Sequence, residues 1–186
     1  MAAAPFLSTD EYLATPETTQ PAEVIYGTLR VADAPGVRHQ QALCAFLLAL
    51  APHVRERRLG HVLLSPLDVI VDWKRALILQ PDLVFISHAR WKIQKQKIVG
   101  APDMVLEVLS PDPRIGDLHE RVNWFVQYGV REVWLLHQLN ERFEILEARD
   151  GRVVQRQIFD YFTPLRSKVL PELTHTVGGI LEAADF

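Results

Sequence analysis

The sequence predicts an α/β fold, and three features carry that expectation. From about Arg38 to Arg58, apolar residues at 42, 43, 46, 47, 50 and 54 recur at helical spacing. Elsewhere Val, Ile and Leu crowd into short runs bounded by proline, glycine and polar turns, the composition of strands in a core sheet. Between two such runs, APDMVLEVLSP and REVWLLHQ, stands DLHERVNWFVQYGV, with Leu118, Val122, Phe125 and Val126 on one helical face. Strand, helix, strand in that order suggests a crossover unit.

Taken in order, Ser8-Thr9-Asp10-Glu11 is a helix start, with Ser8 three residues ahead of Glu11, and Pro16 stops so short a helix. EVIYGTLRVAD reads as two strands turning near Gly27 and Thr28. The first long helix is expected to end at Gly60, and Arg55, Arg57 and Arg58 suit the negative end of its dipole. HVLLSPLDVIVDWKRALILQPDLVFIS then supplies strands parted by Ser65-Pro66 and by the turn at Lys74 and Arg75. Gly129 caps the later helix, and Asp150-Gly151 joins RFEILEAR to RVVQRQIF as a hairpin.

A length of 186 residues with 48% hydrophobic content suits a single domain, 1–186, with a sizeable core. No apolar run approaches the roughly 20 residues needed to cross a bilayer, and MAAAPFLSTDEYL lacks the pattern of a signal peptide. A cytoplasmic protein with no membrane partner is expected. The formal net charge of -3 means that any nucleic-acid contact is local. The single cysteine, Cys44, lies in ALCAFLLAL and is expected to be a buried core thiol, since an apolar setting disfavours the thiolate.

Chemistry is expected on the strand APDMVLEVLSP. Alternation sends Asp103, Val105, Glu107 and Leu109 to one face and Met104, Leu106 and Val108 to the other. Glu107 is therefore an acid in an apolar strand, where an unpartnered carboxylate costs several kcal/mol. A cation or donor must meet it, and a salt bridge to a core arginine is the alternative to a metal. Asp103 lies four strand residues away, roughly 13 Å at about 3.3 Å each, too far to be a co-ligand. Asp82, in LQPDLVFIS, follows a proline on another strand. Two carboxylates on neighbouring strands suit an oxygen-ligated cation such as Mg²⁺.

Pro81-Asp82 followed by Glu107-Val108-Leu109 resembles the PD-(D/E)XK nuclease motif. The likeness extends to the Uma-type restriction endonucleases, whose GAPDLVVEVLSPS stretch precedes a helix carrying a displaced lysine and then GVPEYW. Here the matching residues run from Gly100-Ala101-Pro102-Asp103 through Glu107 to Ser110-Pro111, and again over Gly129-Val130-Arg131-Glu132-Val133-Trp134. Glu23 to Leu29, Arg38-His39, Gln80-Pro81-Asp82 and Leu170-Pro171-Glu172-Leu173 match as well. The resemblance implies a restriction-endonuclease-like fold, with a central mixed β-sheet flanked by helices and additional N-terminal and C-terminal hairpins.

It also implies hydrolysis of DNA phosphodiester bonds with Mg or Mn held by Asp82, Glu107 and the Val108 carbonyl, in a homodimer or higher homo-oligomer. The motif's usual lysine position is Leu109, and the displaced lysine aligns with Arg121, one turn after Asp117. Arginine stays protonated, so Arg121 can hold phosphate or orient water but cannot be a general base. His39, Glu23 and Asp117 are candidates for supporting the site or touching phosphate; a structural histidine and an exposed strand acid are the plainer readings of the first two. Arg90, Lys92, Lys95 and Lys97 around Trp91 form a candidate nucleic-acid contact, or else a solvated loop.

Two rivals follow from the same residues. One is a catalytically impaired nuclease fold that binds nucleic acid or protein; the other is an oligomer that uses the C-terminal hairpin as its interface. No GxSxG elbow, glycine-rich phosphate loop, HExxH or zinc spacing of histidines supports another hydrolase or transferase.

Overall fold

A computed structural model describes residues 6–16, 18, 20–109, 117–138 and 142–183. The matching Ser110-Pro111 lies outside the described residues. The elements are α1 (Thr9–Leu13), β1 (Ala22–Ile25), β2 (Thr28–Val31), α2 (Val37–Glu56), β3 (Gly60–Leu64), β4 (Val69–Asp72), β5 (Leu77–Leu79) and β6 (Leu83–Ser87). A 3-10 turn, His88–Ile93, leads to β7 (Ile98–Val99), β8 (Met104–Leu109), α3 (Leu118–Gln127), β9 (Glu132–His137), β10 (Arg142–Arg149), β11 (Arg152–Phe159) and α4 (Val177–Glu182).

Six strands form a mixed sheet in the order β11-β10-β9-β8-β6-β3, and five form a second in the order β2-β1-β5-β4-β7. β8 and β9 run parallel, joined through α3, which is the expected crossover. The N-terminal hairpin lies at one edge of the second sheet, whereas the C-terminal hairpin continues the central one. Asp150 at φ 51 and Gly151 at φ 72 turn that hairpin, a left-handed pair that matches strand twist.

Strand alternation sorts the core into two layers. Met104, Leu106, Val108, Trp134 and Phe143 meet Phe46 and Leu50 of α2 on one face. On the other, Val105, Val133 and Leu135 meet Val122 and Phe125 of α3 together with Val69, Leu77 and Leu79 of the second sheet. Phe46 stacks on Phe143 at 5.3 Å between ring centroids; each such buried side chain stabilises the fold by roughly 1.5–3 kcal/mol.

Local signals account for the helix ends. Ser8 and Glu11 form the expected capping box on α1. Gly129 follows α3, and the Val130 N–H returns to the Phe125 carbonyl to complete the cap. α2 departs from expectation: it stops at Glu56, and Arg58, not Gly60, takes the left-handed turn at φ 52 while the Leu59 N–H bonds to the Val54 carbonyl. Cys44 is a second correction, because it is exposed. Ala42, Leu43, Ala45, Phe46 and Leu50 fill the inward stripe of α2, which leaves Cys44 and Leu48, one turn apart, facing out.

Candidate active site

β6 begins directly after Pro81-Asp82 and pairs antiparallel with β8, Leu83 opposite Leu106 and Val84 opposite Val105. Carried one place further, this register sets Asp82 opposite Glu107, on the face that Val84 and Val105 share with α3. Just ahead of β6, the Asp82 carboxylate continues the ladder: the Val108 N–H donates to its Oδ2 at 2.7 Å. Its Oδ1 lies 3.1 Å from His39 Nε2, carried on the first turn of α2.

The crossover brings the first turn of α3 back over β8, and with it Arg121. Its Nη1 donates to Glu23 Oε2 at 2.8 Å, and its Nε lies 3.0 Å from Glu107 Oε1. Glu23 Oε1 in turn accepts the Gln80 N–H at 2.6 Å. Glu23 is thus a buried partner rather than an exposed strand acid, and Glu107 does meet the core arginine of the alternative reading. A single guanidinium stands between two buried carboxylates. Burial, reinforced by the charges of Asp82 and Glu23 and opposed by Arg121, pushes the Glu107 carboxyl up to about 8.

Among the described residues, no three His, Cys, Asp or Glu side chains group closely enough to hold a metal ion. The donors present are nevertheless hard oxygens, two carboxylates and a backbone carbonyl, of the kind Mg²⁺ and Mn²⁺ take. Among the described residues, the buried Glu107 Oε1 has the Arg121 guanidinium at 3.0 Å as its one partner. An oxygen left with spare lone pairs inside the protein fits a cation.

The other expected residues are distributed differently. Asp117 caps α3 by accepting the His119 N–H at 2.6 Å, and its side chain is exposed at the helix end. Arg90 donates to the carbonyls of Ala101, Pro102 and Gly129, Lys97 pairs with Asp68 at 2.9 Å, and Trp91 stacks on His61 at 3.7 Å. Of that run, Lys92 and Lys95 are left on the surface. Asp103, set aside as a ligand, accepts the Ser87 N–H and pairs with Arg131.

Two polar residues escaped sequence reasoning. Gln80 links Ala22, Glu23, Asp68 and Arg121, and the buried Asp68 also accepts from Tyr12. The signal for Gln80 was its place beside Pro81-Asp82 at the start of an apolar strand; Asp68 had the same mark ahead of β4.

A mixed sheet that sets Asp82 opposite Glu107, with the parallel β8–α3–β9 crossover returning Arg121 to Glu107, has the α/β architecture of the restriction-endonuclease kind. The chain belongs to the Uma2 family, described as "Putative restriction endonuclease", which it matches over residues 9–178. It is similar in fold to a solved structure described as "a putative nuclease belonging to DUF820 from Anabaena variabilis ATCC 29413". That likeness has a TM-score of 0.79 and 18% identity, covering 96% of this chain and 99% of the other. No curated protein matches.

Proposed function

We propose that this chain is a metal-dependent endonuclease that hydrolyses DNA phosphodiester bonds, with Mg²⁺ or Mn²⁺ held by Asp82, Glu107 and the Val108 carbonyl. The observation that carries this reading is the 2.7 Å bond from the Val108 N–H to Asp82 Oδ2, which fastens one acid to the strand bearing the other. A strand residue's N–H and C=O leave the backbone on the same side, so the Val108 carbonyl faces the same gap. Membership of a restriction-endonuclease family supports the substrate class.

A bound divalent cation would supply an acidified water and offset charge on the phosphate. The protein's own groups prepare that site. His39 orients Asp82, and Arg121 holds Glu107 and Glu23 in place while remaining protonated. Glu107, whose carboxyl is raised to about 8, would have to release its proton to serve as a ligand.

The test is nicking of supercoiled plasmid and cutting of single-stranded DNA with Mg²⁺ or Mn²⁺, a chelator control, and D82N and E107Q. Cleavage that depends on the metal and disappears in both variants is expected. Cleavage that survives the chelator or both variants contradicts the reading.

A second reading has its own observation, the pairing of Arg121 with both Glu23 and Glu107. A fixed cation there suits a nuclease fold that binds nucleic acid or a partner without cutting. Mn²⁺ binding without cleavage in the wild type, with cleavage gained in R121K, favours it.

A further inference from the structure

The face of the central sheet that holds Glu107 carries a second set of charges. Glu107 lies opposite Leu135 of β9, and Leu135 lies opposite Glu144 of β10. Glu144 therefore stands in the same row two strands away, about 10 Å at about 4.8 Å per strand.

Glu144 is 1% exposed, and two guanidinium groups and an imidazole surround it. Its Oε1 lies 3.1 Å from His137 Nε2 and 2.9 Å from Arg142 Nη2, while its Oε2 meets Arg156 Nε and Nη2, both at 2.6 Å. Among the described strand residues on this face of β9, β10 and β11, Glu144 is the one acid. Two arginines on one carboxylate leave an excess of positive charge.

The arrangement also leaves donors over. The side chains of Arg142 and Arg156 are 40% and 56% exposed. Each guanidinium offers five N–H donors in a fixed fork, more than one carboxylate can accept. Among the described residues, the buried Arg142 Nε has no acceptor. The buried acid fixes the forks in place, and an anion from outside would complete them.

We infer that Arg142 and Arg156, anchored by Glu144, hold phosphates of the nucleic-acid strand whose scissile bond is presented to Asp82 and Glu107. This rests on the nuclease reading. It supplies the local basic contact that a chain of net charge -3 requires.

The experiment measures binding of a labelled oligonucleotide without divalent cation, as a function of salt, for wild type, R156Q, R156K and E144Q/R156Q. The double variant removes one charge of each sign, so net charge is unchanged and no acid is stranded if R156Q fails to fold. In R156Q and in the double variant the slope of log affinity against log salt is expected to fall by about one, with weaker binding; R156K keeps most of the slope. Mn²⁺ affinity stays at the wild-type value in every variant. Wild-type affinity and slope in the folded double variant would overturn the inference. A wild type that binds Mn²⁺ but no DNA would instead overturn the nuclease reading, and this contact with it.

Discussion

Arg121 Nε lies 3.0 Å from Glu107 Oε1, while Nη1 of the same guanidinium lies 2.8 Å from Glu23 Oε2. All three side chains are buried. One positive charge thus compensates two acids that come from different sheets, β1 of the second and β8 of the central one. The arrangement ties the sheets together, and one guanidinium for two buried acids leaves Glu107 holding a proton up to about 8, the place a divalent cation would take.

Removing the shared cation strands both acids. Arg121→Ala is expected to destabilise the fold by about 3–5 kcal/mol, the usual cost of breaking a buried pair from one side. R121K, which keeps the charge but not the fork, is expected to lose less. Urea denaturation followed by fluorescence measures both.

The pH dependence follows from Glu107. Its carboxyl is raised from an ordinary 4.5 to about 8, so between those values the folded state holds a proton that the unfolded state has released. Stability from this group is therefore complete below about 4.5 and is lost as pH rises through about 8. Melting temperature against pH should fall over that window in the wild type, and the fall should shrink in E107Q. An identical fall in E107Q would assign it to another group.

Much of the fold was legible because its signals are local. The period-2 pattern of β8 separated Glu107 from Val108, Gly129 marked the end of α3, and Asp150-Gly151 marked the last hairpin. The division into two sheets was not legible: β3, β4, β5 and β6 all read as Val, Ile and Leu runs, and periodicity does not name a strand's partner. The same limit applies to charge. Arg90 and Lys97 looked like part of one surface run, yet their partners lie in the 101–102, 129 and 68 segments, distant in sequence or around a turn. Asp82 and Glu107 could be proposed as a pair from sequence, whereas Gln80 joining Glu23 to Asp68 requires the packed structure.

Glu132 serves as a structural contrast to Glu107. It too is buried, but its oxygens accept from Trp134 Nε1, Ser167 Oγ and the N–H groups of Lys168 and Val169, so it clamps the C-terminal segment to β9. Glu132→Ala is expected to cost at least about 3 kcal/mol of stability. Wherever the variant is still folded, its Mn²⁺ affinity should match the wild type; calorimetry on the same sample checks both.

His39 is expected to act on the metal through Asp82. Its Nε2 lies 3.1 Å from Asp82 Oδ1, and its buried Nδ1 has no partner among the described residues. His39→Ala should lower Mn²⁺ affinity by about 10- to 100-fold, the common effect of losing a group that orients a ligand. An unchanged affinity in titration calorimetry would make the histidine purely structural.

The central claim is that Asp82 and Glu107 share one divalent cation. The most direct measurement is calorimetric titration of Mn²⁺ into the wild type and into Glu107→Ala, with plasmid nicking followed on the same samples. The account predicts binding and metal-dependent nicking in the wild type and neither in the variant. No binding to the wild type, or equal binding to both proteins, would contradict it.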